Sequence, residues 1–145
     1  MSTEGPILIG VEPVADLQRA VMRILLNDAE LTSMASVYDY VPENESGPYV
    51  TWSSAWLAER DTLNGCADRV WFQLDIYSRY RGYAEGSNIA FRVVELLHHL
   101  NINIPGYETI HVLREQSHVL RDPNNEFRRW AITFNCPYVS LERER

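Results

Sequence analysis

The feature that most constrains the fold is a stretch of strict alternation at residues 68–77. Apolar and polar positions take turns there, and a period of two is typical of a strand with one buried face. Four apolar residues share the side that we expect to be buried: Val70, Phe72, Leu74 and Ile76.

Another strand is predicted at residues 49–57, earlier in the chain, and is expected to pair with the strand at 68–77. Asn64 and Gly65 lie between the two, and this dipeptide favours a hairpin because both turn positions must tolerate positive φ. The tip of the hairpin is expected at 59–67. Three apolar residues of the earlier strand share one parity and are expected on one face: Val50, Trp52 and Trp56.

A second hairpin is predicted near the C-terminus. Its first strand covers residues 107–120, with Ile110 and Val112 pointing inward and a bulge near 114–117, where the alternation is lost. A turn follows at Asp122-Pro123-Asn124-Asn125, where proline fixes φ. In the last strand four residues are predicted to face the core: Trp130, Ile132, Phe134 and Cys136.

Two helices are predicted, one before each hairpin. The first begins at Pro13, continues as a shorter turn at 31–34, and is followed by an irregular segment at 38–48. The second covers residues 83–100. Their apolar stripes at helical spacing are Leu17, Val21, Ile24 and Leu25 in the first, and Ala90, Val93, Leu96, Leu97 and Leu100 in the second.

The element order is therefore helix, strand, strand, helix, strand, strand. Two hairpins separated by a helix favour an α+β fold. It has an antiparallel four-stranded sheet, with both helices packed on one face.

The 145 residues fit a single domain, with a flexible N-terminal arm at 1–12 and a charged tail at 141–145. A formal net charge of −7 argues against nucleic-acid binding through bulk charge. No apolar run reaches the roughly 20 residues that a membrane helix needs, and no secretion signal is recognised. We therefore expect a cytoplasmic site of synthesis and no contact with membranes.

Neither metal binding nor catalysis is indicated. The consecutive His98 and His99 would point about 100° apart on a helix, and His111 and His118 have an odd offset in a strand. No cysteine or histidine pair has the spacing of a zinc site. Nucleophile-elbow and phosphate-loop patterns are absent from the sequence. We expect no cofactor and no enzyme activity.

The predicted outer face of the sheet carries too many aromatic side chains for a monomer in water. Tyr49, Trp71, Tyr77 and Phe127 fall on it, which indicates self-association. Arginine and tyrosine are also mixed at 77–81, and both are enriched in protein interfaces. The interface candidates are Trp71, Tyr77, Arg79, Arg81, Arg121, Asp122 and Arg129.

An ordered set of short motifs resembles the tail completion family of long-tailed bacteriophages and gene-transfer particles, whose members are similar to lambda-like tail terminators. The resemblance covers roughly residues 14–134. Its pieces are Val37-Tyr-Asp-Tyr-Val-Pro42, Pro48-Tyr-Val-Thr51, Asp61, Leu74-Asp-Ile-Tyr-Ser78, Gly82, Ala84, Glu85, Ile89-Ala90, Val119-Leu-Arg-Asp-Pro123 and the arginine-rich stretch 128–134.

The resemblance implies a structural virion protein without a cofactor. Such proteins form a hexameric ring at the head-proximal end of the tail tube, stop tube polymerisation and join the tail to the head. The implied partners are further copies of the chain, the tail tube protein and the head-completion or connector protein, with the tape-measure protein as a further candidate.

DNA would pass through the ring without specific binding. Acidic residues repel phosphate, so we expect Glu59, Asp61 and Asp75 to face the lumen. Two alternatives stay open from the sequence. One is a head-completion or neck protein, and the other is a small cytoplasmic α+β enzyme or ligand-binding domain.

Overall fold

The alternating residues form the middle strand of a five-stranded sheet in the computed structural model of the chain. The structure describes residues 13–59, 67–79, 82–121 and 127–142. The helices are α1, Val14–Leu26; α2, Ala29–Met34; and α3, Ala84–Leu97. The strands are β1, Ser36–Tyr38; β2, Tyr49–Glu59; β3, Asp68–Ser78; β4, Asn101–Ile102; β5, Ile110–His111; β6, Leu113–Arg121; and β7, Arg128–Val139.

The main sheet is mixed, so the predicted four-stranded antiparallel sheet is wrong. Its strand order is β1-β2-β3-β7-β6. The β2–β3, β3–β7 and β6–β7 pairs are antiparallel, as the two hairpins require, but β1 adds a fifth strand parallel to β2. β1 has only three residues, with Val37 buried between two less buried neighbours. A strand of that length is too short to show alternation in the sequence.

The predicted third strand is divided between two sheets. Its first part is β5, which pairs with β4 in a separate two-stranded sheet, and its second part is β6. The expected bulge is confirmed, since the register of β6 against β7 shifts between Arg114 and Gln116. The expected count of two helices is also corrected, because the short turn at 31–34 belongs to the separate helix α2.

A bulge in β2 changes which face its tryptophans occupy. The register against β3 shifts between Trp52 and Ser54, so that Trp52 lies opposite Leu74 whereas Trp56 lies opposite Trp71. Leu74 and Trp71 are on opposite faces of β3, because their positions differ by an odd number. The prediction that Trp52 and Trp56 share a face is therefore wrong.

Within the described part of the chain, the helices cover one face of the sheet and leave the other open. On the covered face, Phe72 and Phe134 stack at 5.2 Å between ring centroids, and both are fully buried. The predicted stripe of α1 packs here through Leu17, Val21 and Leu25. In α3 the buried positions are Gly86, Ile89, Val93 and Leu97.

Gly86 allows α3 to approach the sheet closely. A Cβ atom on this residue would lie 2.0 Å from the ring of Trp130, far inside the contact distance of two carbon atoms. Trp130 is itself only 4% exposed, as its predicted inward position in β7 requires. The glycine is therefore a packing requirement of the helix–sheet contact.

An ion pair joins α2 to α3. The guanidinium of Arg92 donates to both carboxylate oxygens of Asp28, at 2.9 and 2.7 Å. The same carboxylate accepts from the backbone N–H of Leu31 and so caps α2. Because the charged form of Asp28 receives these bonds, its pKa lies below the usual range.

Candidate subunit interface

An aromatic cluster occupies one end of the open sheet face. Tyr49 and Tyr77 lie opposite each other on β2 and β3, and their rings stack at 4.9 Å between centroids. Phe127 packs edge-on against both rings, and the guanidinium of Arg79 lies 4.4 Å from the centroid of Phe127. Burial raises the pKa of Tyr49, with a further contribution from Tyr77. The structure thus brings two predicted interface residues, Tyr77 and Arg79, into one cluster.

A tryptophan pair occupies the other end of the same face. The indoles of Trp56 and Trp71 are nearly parallel, with 6.1 Å between centroids and 11° between planes. The indole N–H of Trp71 donates to the carboxylate of Glu115 at 3.0 Å, and the guanidinium of Arg69 lies 5.8 Å from its ring. Trp56 is 41% exposed, so this cluster presents apolar surface to solvent.

Asp75 lies between the two clusters and forms an ion pair. Its carboxylate is 3.2 Å from Nε of Arg129 and accepts from Nε2 of Gln73 at 3.0 Å. The Asp75 side chain is only 5% exposed, because Arg129 and the neighbouring strands cover it. Two predicted site residues therefore meet here, one named for the interface and the other for the lumen.

The remaining predicted site residues lie at the ends of strands or outside the described residues. Glu59 ends β2 and Arg121 ends β6, and both are exposed. Three predictions fall on residues that the structure does not describe: Asp61, Arg81 and Asp122.

Three histidines come together, contrary to the expectation from a continuous helix. α3 ends at Leu97, His98 has extended backbone angles, and φ of His99 is +66°. The ring centroids of His98 and His99 are 3.9 Å apart, and the ring centroid of His111 lies 5.8 Å from that of His99. Nδ1 of His98 accepts from the backbone N–H of Arg114, and burial lowers the pKa of this histidine.

Within residues 13–59, 67–79, 82–121 and 127–142, no group of three or more potential ligands is arranged to hold a metal ion. The thiol of Cys136 is buried, and burial raises its pKa to about 12, so that it stays protonated at neutral pH. Two open depressions flank Pro105, one along α1 and the other beside Glu108 and Glu142. Neither has a histidine or cysteine among its lining residues.

Two acidic residues that bond to aromatic side chains were not predicted. Glu115 was missed because the bulge in β6 obscures the face to which it belongs. Glu45 was missed because its partner is seven positions away: it accepts a hydrogen bond from the Tyr38 hydroxyl, which lowers the pKa of Glu45 and raises that of Tyr38. The breakers around 42–48 predicted an irregular segment but not this contact.

The described residues form a mixed five-stranded sheet with helices on one face, and its most distinctive surface is an aromatic open face suited to contacts between proteins. The family described as "Tail completion protein gp17" matches residues 19–138, and the chain belongs to this family. It is a structural protein of a virion tail, and the family is not an enzyme class.

The fold is also found in a solved particle. A chain of the "Virion of native gene transfer agent (GTA) particle" superposes with a TM-score of 0.79 at 23% identity, over 90% of this chain and 100% of the other. No curated protein matches the sequence significantly. Among the described residues, no helix is long and apolar enough to cross a membrane.

Proposed function

We propose that this chain is a tail terminator, which forms a hexameric ring on the head-proximal end of the tail tube. The ring ends tube polymerisation and joins the tail to the head connector. The observation that carries the proposal is the family match over residues 19–138. The similarity in fold to a chain of a gene-transfer particle, over the whole length of that chain, supports it.

A closed ring needs two different contact surfaces on each subunit. The aromatic clusters of the open face offer exposed apolar area, and Trp71, Tyr77, Arg79 and Arg129 all lie on or beside them. Arg121 lies at the far edge of the sheet. Arg81 and Asp122 stay proposed contacts on the sequence argument alone.

The net charge suits a ring through which DNA passes. Six copies of a chain with charge −7 carry −42, and an acidic lumen repels phosphate. Glu59 is exposed and suited to such a lining, whereas Asp75 shares its charge with Arg129 within the subunit. Asp61 remains a lumen candidate on sequence grounds. The proposed partners are the tail tube protein, the connector protein and, inside the tube, the tape-measure protein.

The proposal is tested by imaging particles assembled without this chain. A terminator is required to stop the tube, so we expect tubes with a broad length distribution that extends beyond the normal length, and heads without tails. Restoring the intact chain should restore a single tail length. Tails of normal length that fail to join heads would instead identify a head-completion or neck protein. Normal, complete particles would contradict both roles.

A further inference from the structure

The main sheet has a free edge on each side. On one side, β1 pairs only with Tyr49, Val50 and Thr51, so residues 52–59 of β2 have no outer strand partner within the described part of the chain. On the other side, β6 pairs with β7 alone among the described strands. Unpaired backbone groups on an edge strand are a template for another strand.

Both free edges expose apolar side chains. Trp56 is 41% exposed on β2, and Val119 and Leu120 are 51% and 43% exposed on β6. Neither edge has lysine, and β6 has no proline, although these residues commonly protect edge strands. The charges are complementary: Glu59 is the charged residue of the β2 edge, whereas β6 carries Arg114 and Arg121, with Glu115 already bonded to Trp71.

The two edge strands also run in the relative direction that antiparallel pairing between neighbouring copies needs. The path β2, β3, β7, β6 contains three antiparallel steps, so β6 runs antiparallel to β2 of its own subunit. Copies arranged side by side in a ring therefore bring β6 of one subunit antiparallel to β2 of the next. Such a contact joins two different surfaces of neighbouring copies. Repeating it forms a closed ring when the rotation from one copy to the next divides a full turn evenly.

We propose that β6 of one copy pairs with residues 52–59 of β2 of the next copy and so continues the sheet around the ring. This inference rests on the proposed ring and specifies how its subunits meet. In the register that we assign, Trp56 lies opposite His118, and Leu57 lies opposite Ser117. Glu59 then lies near Arg114, so in this register its charge serves the subunit contact and not the lumen lining, and the contact ends in a complementary pair of charges.

In the assigned register, residues that lie opposite each other have their side chains on the same face of the sheet. A shift by one residue would break this agreement. Trp56 lies opposite Trp71 and His118 lies opposite Ala131, and both positions belong to the open face. Leu57 and Ser117, which are opposite Val70 and Ile132, belong to the face covered by helices. A slip by one residue would place open-face side chains against covered ones.

The strand β1 limits how far the neighbouring β6 extends along β2. In the proposed register β6 ends, at Arg121, beside residue 53, and β1 begins its pairing two positions further along, at Thr51. The two strands thus share one edge of β2 without overlap. A larger slip in that direction would place β6 on the backbone groups that β1 already occupies.

The offset also suits a closed sheet. Within one subunit Trp56 is aligned with Leu113 through Trp71 and Asn135, whereas across the interface it is aligned with His118. The shift from Leu113 to His118 is distributed over the four strands β2, β3, β7 and β6. It amounts to about one residue per strand, which is a displacement of roughly 3.3 Å along the strand direction for each 4.8 Å between neighbouring strands. The resulting strand tilt is roughly 35°, within the range of closed barrels.

Site-directed disulfide formation tests the pairing in full-length protein with Cys66→Ser as background. Ser54→Cys and Leu120→Cys face each other in the assigned register, at a distance that a disulfide spans. A chain with both changes should give a covalent ladder of up to six subunits on oxidation. Each single variant should give no ladder, and an equal mixture of the two single variants should give dimers only. The matched control, Ser54→Cys with Gln116→Cys, should not cross-link, because the two positions are about 13 Å apart along the strand.

Glu59→Arg provides a second measurement that does not depend on disulfide geometry. It should lower the assembled fraction several-fold by placing like charges together, and Arg114→Glu in the same chain should restore it. Unfolding midpoints of the variants, compared with wild type, show that the subunit still folds. Failure of Arg114→Glu to restore assembly would overturn the assigned register.

Other outcomes overturn the pairing. A dimer of the single Ser54→Cys variant would show that like edges meet. Imaged six-membered rings without a ladder would refute the edge contact and leave the proposed function intact. A chain that stays monomeric at every concentration, or forms a ladder only after residues 1–12 are removed, would show that these edges do not join copies of the full chain. The tail role is decided separately by the particles that lack the protein.

Discussion

At the scale of single residues, the contact of Gly86 with Trp130 makes a prediction about stability. Gly86→Ala should lower the free energy of unfolding by about 1–3 kcal/mol, because overpacking against a buried ring outweighs the gain in helix propensity. Denaturant titration measures the change. Ser87→Ala is the matched control, since Ser87 is the exposed neighbour on the same helix.

A double-mutant cycle identifies the cause of that loss. Trp130→Ala should itself cost about 3–5 kcal/mol as a large-to-small change in the core. Because the ring is then absent, Gly86→Ala should cost much less in this background than in wild type. Equal costs in both backgrounds would show that the steric contact is not the reason for the glycine.

The ion pair of Asp28 and Arg92 predicts a dependence of stability on acid. The pKa of Asp28 is lower in the folded chain than in the unfolded chain, so its contribution is present above the unfolded value of about 3.8. That contribution is lost as the pH falls through the folded pKa. We therefore expect the melting temperature of wild type to fall more steeply from about pH 5 to about pH 3 than that of Asp28→Asn.

Asp28→Asn isolates the charge, because asparagine also caps helices well. Arg19→Gln serves as the control, since its ion pair with Asp16 is largely exposed and should contribute little. An equal slope in wild type and Asp28→Asn would contradict the role given to the ion pair.

At the scale of elements, the sequence predicted the long strands and the bulge in β6, but it missed the bulge in β2 and the short strand β1. The inward residues of β3 and β7 were identified because alternation there is uninterrupted across the core. Trp56 was assigned to the wrong face because a bulge adds one residue, and the two serines at 53 and 54 give no glycine signal for it. β1 was missed because its three residues are too few to show alternation.

The bulge predicts different consequences for two tryptophans of the same strand. Trp52 stacks on the buried Phe72 at 4.9 Å, so Trp52→Ala should destabilise the subunit by about 2–4 kcal/mol. Trp56→Ala removes a stacked but exposed ring and should cost about 0.5–1.5 kcal/mol. Thermal unfolding of the two variants side by side distinguishes these values. A larger loss for Trp56→Ala would mean that the faces are assigned incorrectly.

At the scale of the whole molecule, the sequence predicted the aromatic outer face but not how its charges are neutralised. Aromatic residues at alternate positions of the predicted strands indicated that face directly. The ion pair of Asp75 with Arg129 was not recognised, because it joins two strands whose register cannot be read from either one. Asp75 and Arg129 were accordingly assigned to separate surfaces.

The charge of the subunit predicts how assembly depends on salt. Copies with a net charge of −7 repel one another over distances that salt screens. Light scattering should therefore show a larger assembled fraction at about 500 mM NaCl than at about 50 mM. Dissociation of rings at high salt would instead show that attractive pairs across the interface outweigh the repulsion between whole subunits.

The near-parallel indoles of Trp56 and Trp71 give the protein a built-in optical reporter. Trp52 and Trp130 pack with the core, so their emission should change little when subunits meet, whereas Trp56 is 41% exposed on a free edge. Covering that edge moves one indole from water into an apolar contact. Assembly at this edge is then visible as a blue shift in intrinsic fluorescence, in unlabelled wild-type protein and in real time.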